Sequence, residues 1–293
     1  MNPGLDARGY TIIEVMIVMA ITTALLVGVM AGISGQQRRT EFSQSVNDFQ
    51  SQINDVINTV STGYAVNTQN FNCTAPGGLG PQLDTTPPFN TQGKNKDCIV
   101  LGRAMQMAVG TEPGAYNTYT VLGQRQDSAG KEVTSINAIA TAGGAIPTVA
   151  SATNGGADSF DTGKIQYGVT TTKMFYTTDG TLGTAQNIGA VAFLSSLGQY
   201  TGCTNLCSGT TNVQLYAVQA TSLNAGAGTV TPVSSGLNAG HLLPVPGGSV
   251  VVCLKSGGTS QYGVITIGNN NRQLSTKLDI VDTSGATALG CLP

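Results

Sequence analysis

From Tyr10 the chain reads Tyr-Thr-Ile-Ile-Glu-Val-Met-Ile-Val-Met-Ala-Ile-Thr-Thr-Ala-Leu-Leu-Val-Gly-Val-Met-Ala-Gly-Ile, and no charged residue occurs between Val15 and Gln37. About twenty such residues in a helix span a hydrocarbon core. Beyond Arg38–Arg39 the apolar positions are Phe42, Val46, Phe49, Ile53, Val56, Ile57 and Val60. Steps of three and four place them on one helical face, with Gln44, Asn47, Asp48, Gln52 and Asn54 on the other side. No proline interrupts the stretch and Gly63 supplies a stop. The pattern predicts one helix from residue 11 to residue 61, roughly 75 Å long at 1.5 Å per residue. Its second half should pack against the C-terminal remainder of the chain. A coiled coil is disfavoured, because no e/g charge pattern accompanies the stripe.

After Gly63 the period changes. Residues 98–109, 116–124, 164–176, 189–194, 212–221, 249–255, 262–267 and 277–281 are short and β-rich, several of them alternating apolar and polar side chains. Gly, Pro, Asn and Ser clusters separate them at 75–80, 86–90, 143–156 and 224–248, the last two reading as long surface loops or poorly ordered excursions from a sheet. No internal repeat and no second apolar span is visible. The expected fold is α+β: one long N-terminal helix and a single β-rich head.

Glu14 is the anomaly at the start of the apolar run. A charge in or near hydrocarbon is costly, which makes it a functional residue by default, with a partner to be named. A secretory signal peptide explains the segment poorly: the apolar run is too long and opens on an acid instead of a base. Gly9-Tyr10-Thr11-Ile12-Ile13-Glu14-Val15 instead closely resembles the class III leader of type IV prepilins and type II secretion pseudopilins. That family's pattern is Gly, an aromatic or apolar residue, Thr or Ser, two aliphatics and Glu.

The resemblance implies cleavage by prepilin peptidase between Gly9 and Tyr10, methylation of the new amino terminus at Tyr10, and polymerisation through the first helix. Glu14 would then neutralise the terminal amine of a neighbouring subunit. Two charges about 4 Å apart in a poorly hydrated bundle attract far more strongly than in water, and an unpaired one is strongly unfavourable there. Such a pair would set axial register between subunits. The implied division is a leader over 1–9, a transmembrane and polymerisation half-helix over 10–37, an amphipathic half over 38–63 and a disulfide-containing head over 64–293. The first mature residue is Tyr where Phe is more usual. The proline that many pilins carry in this helix is absent; Gly28, Gly32 and Gly35 are its weak points instead, each costing about 1 kcal/mol relative to Ala. Arg38–Arg39 lies on the outer flank, against the positive-inside tendency. The stretch from Cys253 through Tyr262-Gly-Val-Ile-Thr-Ile to Cys291 loosely resembles the C-terminal sheet of minor pseudopilins.

Composition sharpens this picture. Charged residues make up 10% of the chain and aromatics 5%, with no Trp and 39 glycines, too uncharged for a typical cytosolic enzyme and too apolar for an ordinary disordered chain. Lys plus Arg number 13 and Asp plus Glu 15. The bases are scattered apart from Arg38–Arg39 and Lys94/Lys96, so no stripe offers a strong nucleic-acid footprint. Six cysteines stand at Cys73, Cys98, Cys203, Cys207, Cys253 and Cys291. In an exported chain an even count suggests disulfides, with 15 connectivities open; pairing in order along the chain is the preferred one. Loops of roughly 25 and 40 residues closed by Cys73–Cys98 and Cys253–Cys291 would each contribute about 3–4 kcal/mol. Zinc is disfavoured: three residues, not two, stand between Cys203 and Cys207, and His241 is the sole histidine.

Candidate catalytic motifs are weak. Phe160-Asp161-Thr162-Gly163 resembles half of an aspartic protease site, but a second matching carboxylate is missing; Asp179-Gly-Thr and Asp282-Thr-Ser-Gly do not fit, and a polar turn is expected. Ser128-Ala-Gly-Lys131 has Ser-x-x-Lys spacing without companion motifs. His241 sits in a Gly/Pro-rich stretch without a nucleophile elbow. Asp158 with Asp161, or Asp279 with Asp282, could hold a structural calcium, but neither pair sits in an oxygen-rich ligand series, and the reading preferred for them is solvated acids. No cofactor is expected, and the lack of a phosphate-binding Gly-x-x-x-x-Gly-Lys puts any motor on another protein.

The expectation is therefore a non-enzymatic minor pilin or pseudopilin. It would stand as a single-pass protein in the inner membrane with its head outside, then enter a filament in the periplasm or beyond. Its implied partners are other pilin subunits, prepilin peptidase, the inner-membrane assembly platform and, before assembly, membrane lipid. A major pilin is the alternative within the class. A signal-anchored binding protein or adhesin that never polymerises is the alternative outside it, and an anchored hydrolase a weaker third.

Overall fold

The computed structural model describes residues 11–63, 71–72, 82–83, 98–107, 114–124, 135–136, 144–145, 148–149, 160–177, 185–195, 213–219, 242–245, 248–270 and 273–292. Helix α1 runs from Ile12 to Ser61. Thr11 starts it: its Oγ accepts the Glu14 N–H at 3.4 Å, and the carboxylate in the first turn suits the positive end of the helix. Gly63, at φ +66°, ends it, its N–H donating to the Val60 carbonyl at 3.1 Å. The helix continues unbroken through Gly28, Gly32 and Gly35, where a Cβ would meet nothing within 4 Å.

The head is built on one large antiparallel sheet. Its main strands are β1 (Cys98–Met107), β2 (Ala115–Gln124), β3 (Phe160–Lys164), β4 (Thr170–Thr177), β5 (Gln186–Ser195), β6 (Val213–Gln219), β7 (Ser249–Lys255), β8 (Tyr262–Asn270) and β9 (Gln273–Val281). The order β9-β8-β7-β4 forms one half. Strand β5 joins it to the other: Gln186 and Asn187 pair with β4, and from Ala190 onward β5 lies between β6 and β1. Strand β2 follows β1 and carries β3 on its far side.

Three expectations change here. The stretch from Lys164 to Tyr176 is two strands, divided by a turn at residues 165–169. Phe160–Gly163 is part of strand β3, not a polar turn; Gly163 pairs with Tyr116, whose ring lies where a Cβ on Gly163 would stand, 2.0 Å from Cζ. The stretches 143–156 and 224–248 are not wholly loop. Thr148–Val149 pairs with β2, Leu242–Pro244 with β6, and Gly144–Ala145 runs parallel to Ser135–Ile136.

The second half of α1 lies on the sheet. Phe42, Val46, Phe49, Ile53, Val56, Ile57 and Val60 are all buried, in one cluster with Met174, Val191, Phe193, Leu215, Val252, Ile265 and Ile267. Each such side chain gains about 1.5–3 kcal/mol by burial, against about 1 kcal/mol net for a hydrogen bond, so the apolar stripe dominates the docking. Polar contacts at its margins set the register. Ser45 Oγ donates to the Gln166 carbonyl at 3.0 Å, Gln50 Nε2 to Thr276 Oγ1 at 3.0 Å, and Thr276 Oγ1 to Asn54 Oδ1 at 2.9 Å. Asn54 and Gln52 thus touch the sheet from a side of α1 that the sequence pattern assigns to solvent, Gln52 accepting the Tyr116 hydroxyl. The Tyr116 ring also stacks obliquely on Phe49, centroids 5.3 Å apart.

The opposite face of the C-terminal half is covered too. Helix α2 (Thr283–Ala288) folds back over it and joins a second cluster of Phe175, Val251, Cys253, Tyr262, Val264, Ala286 and Cys291. With alternate residues facing α1 and α2, β7 is buried on both sides, which is why Val250–Leu254 reads as a continuous apolar run instead of alternating. Asp282 caps α2, accepting the Gly285 N–H at 2.9 Å and the Ser284 hydroxyl at 2.8 Å. These bonds, the Gly285 N–H first, hold its carboxyl below the usual carboxylate range. A disulfide between Cys253 and Cys291 closes the chain end onto β7. Lys173, over the Phe175 ring, donates to the Gly290 carbonyl at 2.8 Å.

Candidate assembly surface

The first half of α1 projects from the head. Every described large apolar side chain from Ile12 to Ile33 is exposed, Ile12 by 82% and Leu25 by 64%. A surface of this size cannot stay in water, and the helix is long and apolar enough to cross a membrane. Its few polar groups are arranged for an apolar medium: the Thr22 and Thr23 hydroxyls donate to the carbonyls of Val18 and Met19 at 2.9 and 2.7 Å. Glu14 is exposed at the start of this surface, its side chain without an ion-pair partner among the described residues. Arg38 and Arg39 mark the other end, where the helix enters the head.

The remaining candidates are engaged structurally. Asp161 pairs with Arg103 at 3.3 Å and Asp279 with Lys277 at 2.9 Å, while Asp282 serves α2. Among the described residues no three His, Cys, Asp or Glu side chains converge as metal ligands would. Gly9, Tyr10, Cys73, Ser128, Lys131, Asp158, Cys203, Cys207 and His241 lie outside the described residues, as does the side chain of Cys98. Burial raises the Tyr116 and Tyr176 phenols above their ordinary range. Both are structural: Tyr176 donates to Gln186 Oε1 at 3.0 Å.

Residues 5–30 match the family model of the prokaryotic N-terminal methylation motif. The chain carries the class III leader of type IV pilins and pseudopilins. No curated protein and no solved structure matches it. The methylation motif ends inside the exposed half of α1, and the long helix on a β-rich, disulfide-closed head is a pilin-like architecture. Two residues that shape this pilin-like chain gave no signal in the sequence. Gly263 clears the path of α1: a Cβ there would stand 2.8 Å from Val46 Cγ1. Tyr167, between β3 and β4, is 54% exposed at φ +55°.

Proposed function

We propose that the protein is a minor pilin or pseudopilin, a structural subunit inserted in the inner membrane by α1 and then built into a filament through that same surface. The observation that carries this reading is the exposed apolar half of α1 with Glu14 at its start, continuous with the methylation motif at residues 5–30. Prepilin peptidase cuts between Gly9 and Tyr10, and Tyr10 receives the methyl group. Freed from lipid, the apolar faces are buried against one another in the bundle, and Glu14 meets the terminal amine of a neighbour. A heterologous contact of this kind propagates as a helix of subunits. The size of the head favours a minor over a major subunit, since even without nine residues the chain is long for a repeating unit.

Mass spectrometry of membrane and sheared-surface fractions tests this directly. The expected species is a chain beginning with N-methyl-Tyr10 in the sheared fraction, far less abundant than the filament's principal subunit. An intact Met1 confined to membranes would sink the reading and favour a signal-anchored binding protein.

A further inference from the structure

We propose that the underside of the head, where α1 leaves it, is a docking surface for the headgroups of anionic phospholipids. The proposal rests on the membrane-anchored reading above and adds a lipid partner for the head itself. Three observations on the same end of the molecule carry it.

The first is length. Glu14 and Arg38 are separated by about 36 Å of helix at 1.5 Å per residue, slightly more than a hydrocarbon core of about 30 Å. With Glu14 at one boundary, Arg38 and Arg39 fall in the headgroup layer of the other leaflet.

The second is charge. Neither arginine has an ion-pair or hydrogen-bond partner among the described residues, and the nearby Glu41 carboxylate instead accepts Gln37 Nε2 at 2.8 Å. Lys255, exposed, stands at the strand end that enters the β7–β8 turn of this rim. Glu41 and Asp282, which follows β9 at the same end, keep their negative charges, and against these two carboxylates Arg38, Arg39 and Lys255 leave an excess of positive charge. The rim therefore presents bases toward the phosphate layer, where anionic lipid attracts juxtamembrane Lys and Arg.

The third is the shape of the rim. The β7–β8 turn is closed by the Ser256 N–H on the Gln261 carbonyl at 3.1 Å. Its Gly258 lies against the Arg38 stem, a Cβ there falling 3.3 Å from Arg38 Cδ. Its Gly257 abuts Gly168 of the β3–β4 turn, a Cβ at Gly257 falling 2.7 Å from the Gly168 carbonyl oxygen. Gln166 of that turn is tied to α1 through Ser45. This braced turn holds Tyr167 exposed in the left-handed region, a conformation tyrosine rarely adopts and one that clusters where function demands it. Tyrosine with flanking bases is the side-chain set of a membrane interface. Arg38 and Arg39 bind lipid phosphates, and the Tyr167 turn seats the head on the interface.

The chain has no tryptophan, so single reporters are clean. Full-length protein carrying Tyr167→Trp, Leu25→Trp or Ser61→Trp is reconstituted in phosphatidylglycerol/phosphatidylethanolamine vesicles and in phosphatidylcholine vesicles. Trp fluorescence is then quenched by headgroup-spin-labelled or chain-brominated lipid. Leu25→Trp reports on insertion alone: if brominated chains do not quench it, the membrane-anchored reading itself fails. With insertion intact, the expected result is strong headgroup quenching for Tyr167→Trp and none for Ser61→Trp at the far end of α1. Adding Arg38→Gln and Arg39→Gln should lower the preference for anionic vesicles by about fivefold per arginine. Quenching at 167 no greater than at 61 overturns the proposal. So does quenching that is indifferent to lipid charge, or that rises with the protein-to-lipid ratio, which would assign the rim to a second copy of the chain.

Discussion

Gly263 and Val46 offer a sharp test of how α1 sits on the sheet. Val46 is fully buried, and the only space for a side chain at position 263 is already filled by its methyls, 2.8 and 3.1 Å from where a Cβ would stand. A β-branched residue within a helix has essentially one rotamer, so Val46 cannot swing aside. Gly263→Ala should therefore overpack the helix–sheet contact and cost about 1–3 kcal/mol. Val46→Ala removes two buried methyl-sized groups at about 0.8 kcal/mol each plus a cavity contribution, about 2 kcal/mol in all. Independent effects would sum to about 4 kcal/mol in the double variant. The structure predicts less, about 2 kcal/mol, because the methyl added at 263 enters the space vacated at 46. Urea unfolding of the detergent-solubilised full chain, followed by tyrosine near-UV dichroism, gives all four corners of the cycle. Additivity to within about 0.5 kcal/mol would refute the contact.

Three further outcomes concern the head. Cys291→Ser opens a loop with a sequence separation of 38 and should lower stability by about 4 kcal/mol in the chain-entropy model; the urea midpoint of Cys253→Ser, which opens the same loop, should fall to match it. Asp282 has a lowered pKa, so its contribution to α2 is complete above the ordinary carboxylate range and lost as pH falls through the folded value. Amide exchange at Gly285, relative to its intrinsic rate, should therefore accelerate on acidification, and Asp282→Asn should remove that pH dependence. Tyr116 and Tyr176 have raised pKa values. Their neutral forms support the fold up to the free-phenol pKa of about 10, and stability falls above it. Tyr116→Phe should blunt that alkaline loss while costing about 1 kcal/mol at neutral pH through the bond to Gln52.

The parts legible in the sequence were those governed by local periodicity. The apolar run, the stripe from Phe42 to Val60 and the C-terminal strands are evident from spacing alone, and the buried face of α1 contains each residue that the steps of three and four select. The errors fall where distant partners decide. Phe160–Lys164 has too few apolar residues to look like a strand; it is one because β2 offers a free edge and Tyr116 covers Gly163. The break at residues 165–169 carries Gly168 as its only conventional turn residue, and Tyr167 takes the left-handed position beside it. Helix α2, Thr-Ser-Gly-Ala-Thr-Ala, has poor intrinsic propensity and persists through the Asp282 cap and the Cys253–Cys291 link. Asp282 three residues before Gly285 was the available hint.

The unbroken course of α1 has a rotational consequence. With 3.6 residues per turn, the azimuth of Glu14 is locked to that of Phe42, where the head takes hold. Inserting one residue between them would turn the head by about 100° around the helix axis and lift it by about 1.5 Å. Without a proline kink to absorb the change, the length of the apolar segment acts as an angular setting that decides which side of the head stands above Glu14.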